Sequence, residues 1–285
     1  MPLKNTIFYL FVFLFISSCE GIKNKNGFSI SEKDRITLAK QFHETSNYFL
    51  QPSELYRKYK DSALQAQPNN VDYMQRLSYS YKKVGEHIKA MEILNKAVEI
   101  DTANGKADVL EYRAWTLLYY YRDYEGVVRD VNLIKKITGN TYNSCWGEPC
   151  DFHKGQALYK LGKYNEAIET LTLVNIEENK LGFDINDNYM VFFYIGRSYA
   201  QMKGYDKAIE YYNKAIASVD KFPEAYYQLG LVYEIQGNKK KAFENFKLAE
   251  LYVNYKMGEP YIERFDEVFP YMIKKELINL SNETK

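Results

Sequence analysis

The chain has 285 residues, 46% of them hydrophobic, with seven Pro and 15 Gly, enough for a sizeable core in one elongated domain. Its 38 Lys and Arg are balanced by 37 Asp and Glu and form no evident basic stripe, which argues against nucleic acid as a partner. The 28 tyrosines suit positions that are apolar on one side and wet on the other.

At the N-terminus, Lys4 precedes a ten-residue apolar run, Ile7 to Ile16. A membrane-spanning helix needs about 20 apolar residues, so residues 1–18 read as an export signal. Ile16-Ser17-Ser18-Cys19 resembles a bacterial lipobox. That resemblance implies diacylation of the Cys19 thiol, cleavage before it and acylation of the new terminus. Each buried acyl chain would contribute about 0.8 kcal/mol per CH₂. Residues 19–30 would be a polar tether, and the protein would be lipid-anchored in the bacterial cell envelope, on the outer membrane, facing the periplasm or the cell surface. The alternatives are an ordinary cleaved signal with an incidental Cys, or an uncleaved anchor.

Residues 31–253 predict a series of short amphipathic helix pairs. Ser31 to Phe49 and Glu54 to Gln67 form the first and most degenerate pair, interrupted at Pro52-Ser53 and closed by Pro68-Asn69-Asn70. The second, Val71 to Asn104, carries Met74, Leu77, Ser78 and Tyr81 on one helix, Gly85 at the turn, and Ala90, Leu94 and Ala97 on the other. The third runs from Asp108 to about Ile137, with Val127, Val131 and Ile134 inside. The fourth has Gly155 and Leu158, a turn at Gly162-Lys163-Tyr164, then Ala167, Leu171 and Val174. The fifth has Phe192, Ile195, Gly196 and Tyr199, a turn at Gly204-Tyr205, then Ala208, Tyr212 and Ala215. In the sixth, Tyr226, Leu229, Gly230 and Tyr233 share one face and Ala242, Phe246 and Ala249 another, with the turn at Gly237-Asn238. The small residues mark places where two helices approach closely. Pairs this short bury their apolar faces only against neighbouring copies.

Gly196 to Gly230, Ala208 to Ala242 and Ala215 to Ala249 are each separated by 34 residues. A helical pair repeating at 34 with Gly, Tyr and Ala at these places resembles the tetratricopeptide repeat (TPR). The resemblance implies an all-α, right-handed superhelical solenoid of about six units, whose first helices line a concave groove for partner segments. Elsewhere the spacing lengthens: Ala90 to Val127 is 37, Val127 to Ala167 is 40 and Ala167 to Ala208 is 41. The two larger insertions fall around residues 138–149 and 175–188. In the third copy Trp115 stands where the repeat needs a small residue. Either Ala114 takes that place and the turn is one residue longer, or the helices spread.

Residues 254–285 read as a capping segment. A helix starting at Pro260 would carry Tyr261, Ile262, Phe265 and Val268, Pro270 would kink or restart it, and Met272 to Leu280 would continue before a frayed end.

The repeat register places Arg76, Tyr79 and Lys83 on the groove in the second copy and Tyr112, Arg113, Thr116 and Tyr120 in the third. Phe152, His153, Gln156 and Lys160 follow from the fourth, Phe193, Tyr194 and Arg197 from the fifth, and Tyr227 and Gln228 from the sixth. Aromatics would anchor a partner segment and cations would meet its carboxylates; alternatively these residues pack on one another or on the C-terminal segment. Cys145 and Cys150 would be the two remaining thiols of an exported chain, and a disulfide between them would staple the insertion. Two free thiols are the alternative, and so is metal or redox work, although C-x4-C with His153 gives only three metal ligands. Asp184 to Asn188 begins like a calcium loop but lacks its Gly and terminal acid, and reads as a polar loop and helix cap. No nucleophile signature, catalytic pair or cofactor motif is present. The expected role is therefore a non-catalytic protein-interaction scaffold with protein partners in the envelope. A self-assembling structural subunit is the alternative, with a homodimer through the apolar stretch Tyr255 to Phe269.

Overall fold

The computed structural model describes residues 30–184, 188–255 and 265–283. The signal, Cys19 and the tether before Ile30 therefore lie outside the described residues, as do Pro260, Tyr261 and Ile262. The described chain folds into six helical hairpins and a terminal helix. The hairpins are α1 (Glu32–Ser46) with α2 (Glu54–Ala66), α3 (Val71–Lys83) with α4 (His87–Ala103), and α5 (Asp108–Thr116) with α6 (Tyr124–Thr138). They continue with α7 (Cys150–Lys160) and α8 (Tyr164–Lys180), α9 (Tyr189–Gln201) and α10 (Tyr205–Ser218), and α11 (Pro223–Ile235) and α12 (Lys239–Tyr252), before α13 (Pro270–Glu283).

Several helix starts are fixed locally. Ser31, Ser53, Asn70, Asp123 and Asn238 accept hydrogen bonds from backbone N–H groups of the first turn. A side-chain cap of this kind contributes about 1 kcal/mol. Asn188 precedes α9 without capping it; its amide turns back onto Asn175 and Glu178 of α8. Each hairpin packs on the next, and first helices of successive hairpins lie side by side. The second-helix alanines Ala90, Ala97, Ala167, Ala208, Ala215, Ala242 and Ala249 are buried at these seams.

The third hairpin absorbs its extra residue in a π-helical turn, Leu117–Tyr121, that extends α5. Elsewhere the left-handed residue that closes the turn falls seven positions after the small one: Ser78 and Gly85, Gly155 and Gly162, Gly196 and Lys203, Gly230 and Gly237. In the third hairpin it is Arg122, eight after the fully buried Ala114. Ala114 is thus the small residue and the turn is one longer. In the fifth turn it is Lys203, at φ 62°, rather than the neighbouring Gly204 that takes the left-handed conformation, and Gly204 is the N-cap of α10.

The first long insertion forms a two-stranded hairpin, β1 (Ser144–Cys145) and β2 (Glu148–Pro149). Trp146 and Gly147 make its tight turn with φ of 57° and 93°. This is the two-residue geometry with both central residues left-handed. A Cys145–Cys150 disulfide closes the hairpin onto the start of α7. The capping segment departs from expectation at Val268, because residues 266–269 are not helical; a helix, α13, then restarts at Pro270 as expected. Phe265 and Val268 are buried within the protein, so these two residues of the proposed dimerisation stretch already have an intramolecular surface.

Candidate binding face on the first helices

In the N-terminal half of this face, Arg76 is exposed and pairs with Asp72 one turn earlier. Tyr79 is half-buried and Lys83, exposed, lies over its ring. The neighbouring Lys82, which the register did not place on the groove, is the more constrained cation. Its Nζ lies 3.8 Å from the ring centre of Tyr120 and about as near as 5.0–5.2 Å to those of Tyr79, Trp115 and Tyr112. It donates to the Tyr112 hydroxyl at 3.2 Å and to the Thr116 hydroxyl at 3.4 Å. Burial, with Lys83 adding, pushes this ammonium down to about 7; four ring faces oppose that shift. Trp146, 56% exposed at the hairpin tip, stacks on Trp115 and leans on Tyr112. The result is an aromatic platform with a basic rim, bearing the exposed Tyr120 at its edge.

Arg113 does not belong to this face. With the register anchored on Ala114, Arg113 occupies the position of Leu77, Ile195 and Leu229, which is directed at the partner helix. Its guanidinium forks onto Asp130 of α6 with two 2.7 Å hydrogen bonds and reaches Asn95 of α4. Tyr112 and Thr116 are likewise buried beneath the platform rather than lining an open groove.

In the C-terminal half the groove is already filled. Phe152, His153, Gln156, Phe193, Tyr194 and Tyr227 are all buried, a correction to their expected availability. Their cover comes from neighbouring helices and from the stretch after Phe265. Asp266 Oδ1 accepts from Lys160 Nζ at 2.6 Å and from Arg197 Nη1 at 2.7 Å, and Oδ2 accepts from the Tyr194 hydroxyl. Burial opposes ionisation of Asp266, but Arg197 and Lys160 outweigh it and hold the carboxyl below its usual range. Phe265 sets its ring edge-on to Tyr119 and Tyr124, close to Tyr194, with the Lys160 ammonium 4.7 Å from its centre. Val268 donates its backbone N–H to Glu224 of α11 and packs into a cluster with Tyr227, Phe246, Ile273 and Leu277. Gln228 is half-buried alongside.

His153 is fully buried under this cover, and among the described residues neither ring nitrogen has a hydrogen-bond partner. Desolvation pushes its pKa down to about 3, so the ring is neutral. Gln156 accepts from the Tyr119 hydroxyl at 3.0 Å. Among the described residues no group of three His, Cys, Asp or Glu is placed to hold a metal, and no helix is long and apolar enough to cross a membrane.

This architecture of stacked helical hairpins with side-by-side first helices defines an all-α helical-repeat solenoid. Tetratricopeptide repeat models match residues 71–104 and 152–174, and a TPR repeat model matches residues 196–237. The chain carries tetratricopeptide repeats over those residues, within a helical-repeat solenoid. The photosystem I assembly protein Ycf3 of Rippkaea orientalis is 29% identical over 90 residues, 32% of this chain. That match spans half of the relative's length. Among solved structures, the type IV pilus biogenesis factor PilW aligns over 80% of this chain and 96% of its own, with a TM-score of 0.55 at 16% identity. A chain of the APC/C hetero-tetramer Cut9–Hcn1 aligns over 88% of this chain and 46% of its own, with a TM-score of 0.56 at 12% identity. Likeness at these identities is one of fold.

The sequence register brought Lys160, Tyr194 and Arg197 to one place. It did not find Lys82, Trp146, Phe265 or Asp266. A Trp-Gly pair between two cysteines was a usable signal for an exposed hairpin tip; nothing local marked Phe265 and Asp266.

Proposed function

We propose that the chain is a non-catalytic scaffold of the bacterial cell envelope, held to the membrane by lipid on Cys19, whose first-helix face binds extended segments of partner proteins. One observation carries the binding role: a non-helical stretch of polypeptide, residues 266–269, already lies across this face, its carboxylate held by two cations and a tyrosine. The same chemistry suits a segment supplied by another protein. The aromatic platform around Trp146 and Tyr120 extends the face toward the N-terminal repeats. The membrane part of the reading rests on the lipobox resemblance and the apolar run before it.

Photo-cross-linking in the intact envelope tests the scaffold role, with the probe at Tyr79 or Arg76 and a control probe at the exposed Leu173 on a second helix. The scaffold reading expects a discrete protein adduct from the first two positions and none from the control; equal labelling from all three, or none, overturns it. Metabolic labelling with a palmitate analogue tests the anchor. The wild type should be marked and Cys19→Ala should not, and labelling that survives the substitution removes the anchor.

A further inference from the structure

The cover over the C-terminal half of the groove carries one residue that a core strap does not need, Asp266. The strap buries Phe265 and Val268 as a core element would, but between them it also brings a carboxylate into a site lined by Lys160, Arg197 and Tyr194. The two cations come from first helices of neighbouring repeats, α7 and α9, so their positive charges converge at one point on the face. Without Asp266 that site would hold two buried or half-buried cations facing a single tyrosine hydroxyl, a strongly unfavourable arrangement. Next to it, Tyr119, Tyr124 and Tyr194 make a recess that takes one aromatic ring, capped by the Lys160 ammonium. Tyr119, which meets the Phe265 ring, also stands edge-on to His153, whose ring nitrogens are buried with no hydrogen-bond partner among the described residues. Beyond it, Glu224 accepts a backbone N–H two residues after the carboxylate. Ring recess, carboxylate clamp and main-chain acceptor follow one another in chain order, at residues 265, 266 and 268.

The geometry points to Phe265-Asp266 as a built-in stand-in for a partner's peptide: the site takes a segment with an aromatic residue followed directly by an aspartate, and the chain's own copy competes for it. This rests on the binding role proposed above for the same face and adds the partner's chemical class. It also makes the groove self-closed. A partner segment binds when it outcompetes residues 265–266, and effective concentration favours the tethered copy. Partners therefore need either additional contacts, which the aromatic platform offers, or a high local concentration at the membrane.

The test uses the full mature chain and a fluorescein-labelled hexapeptide, Phe-Asp-Glu-Val-Phe-Pro, the sequence of residues 265–270, blocked at both ends. Fluorescence anisotropy should show binding to Phe265→Ala/Asp266→Asn at least tenfold tighter than to wild type, whose site is occupied. Replacing Asp by Asn in the peptide, or adding Arg197→Gln to the double variant, should each weaken binding at least tenfold, since each removes at least one charge-assisted hydrogen bond. Asp266→Asn alone keeps the ring and the side-chain volume and guards against a double variant that does not fold. It should show the same ordering with a smaller gain. Helicity by circular dichroism identifies the variants that remain folded. Equal peptide binding by wild type and a folded opened variant, or none by either, overturns the inference. If the envelope probe at Tyr79 captures a protein while the peptide fails, the scaffold reading stands and this one falls; the reverse result removes the scaffold role and leaves the stand-in site.

Discussion

Gly230 faces the ring of Phe246 so closely that a β-carbon on it would lie 2.5 Å from the ring. The two residues sit on α11 and α12 of the sixth repeat, and Phe246 is fully buried, so the ring has nowhere to go. Alanine in a helix interior normally gains about 1 kcal/mol over glycine. Overpacking here costs about 1–3 kcal/mol and should win. Gly230→Ala is expected to lower unfolding stability by up to about 2 kcal/mol in urea titration. Phe246→Leu should make Gly230→Ala less damaging than it is in the wild type. Independent, additive effects of the two substitutions would mean that the ring is not what excludes the methyl group.

Arg122 and Lys203 occupy the left-handed turn position that Gly85, Gly162 and Gly237 hold in other repeats. A residue with a β-carbon loses about 1–2 kcal/mol in this conformation, while glycine adopts it without strain. Lys203→Gly should therefore raise the melting temperature despite removing a charged surface side chain, and the converse Gly237→Ala should lower it. The glycine's greater freedom in the unfolded chain offsets part of the gain, leaving about 0.5–1 kcal/mol. A drop in melting temperature for Lys203→Gly would show that its side chain makes a contact worth more than the backbone strain.

The fold was largely legible because the signal is repeated: Gly196, Ala208 and Ala215 recur 34 residues on, which fixes helix phase more firmly than any single helix can. The same phase brought Lys160, Tyr194 and Arg197 together. Reading failed where a local irregularity or a distant contact decides. The π-helical turn moved the register of the third repeat by one, which carried Arg113 from the groove to Asp130. Helix phase alone assigned Lys83 rather than Lys82 to the groove, and it was the ring of Tyr120, on the next hairpin, that drew Lys82 inward. Asp266 meets Lys160 across 106 residues, and no periodicity links an irregular strap to a repeat.

His153 gives the protein a predictable acid sensitivity. Its folded pKa is pushed down to about 3 by burial, below the ordinary 6.5. Between those values the unfolded chain binds more protons than the folded one, so the neutral ring's contribution is fully present above pH 6.5 and is lost as pH falls toward 3. The slope is about 1.4 kcal/mol per pH unit, roughly 2 kcal/mol between pH 6.5 and 5. Other groups titrate in this range, Glu111 among them, so the informative quantity is a difference. Wild type minus His153→Leu stability should fall steadily from pH 7 to pH 5 in chemical denaturation. A difference that does not change with pH would show that the ring takes up a proton in the folded state with little penalty.

Lys82 should produce an effect of the same sign in an alkaline window. Burial pushes its ammonium down to about 7 from the ordinary 10.5, so between these values the unfolded chain holds the extra proton and stability rises with pH. Lys82→Met retains most of the stem among Tyr79, Tyr112, Trp115 and Tyr120 and removes the titrating group. Measured against this variant, the wild type should gain about 2–3 kcal/mol on going from pH 7 to pH 9. The competing effect is the attraction of four ring faces for a cation, about 0.5–2 kcal/mol for a desolvated contact. If that attraction wins, the ammonium stays protonated to about pH 10 and the difference between wild type and Lys82→Met stays flat. A slope places desolvation ahead of the aromatic box; a flat line reverses the order and makes Lys82 a permanent positive charge beneath the platform.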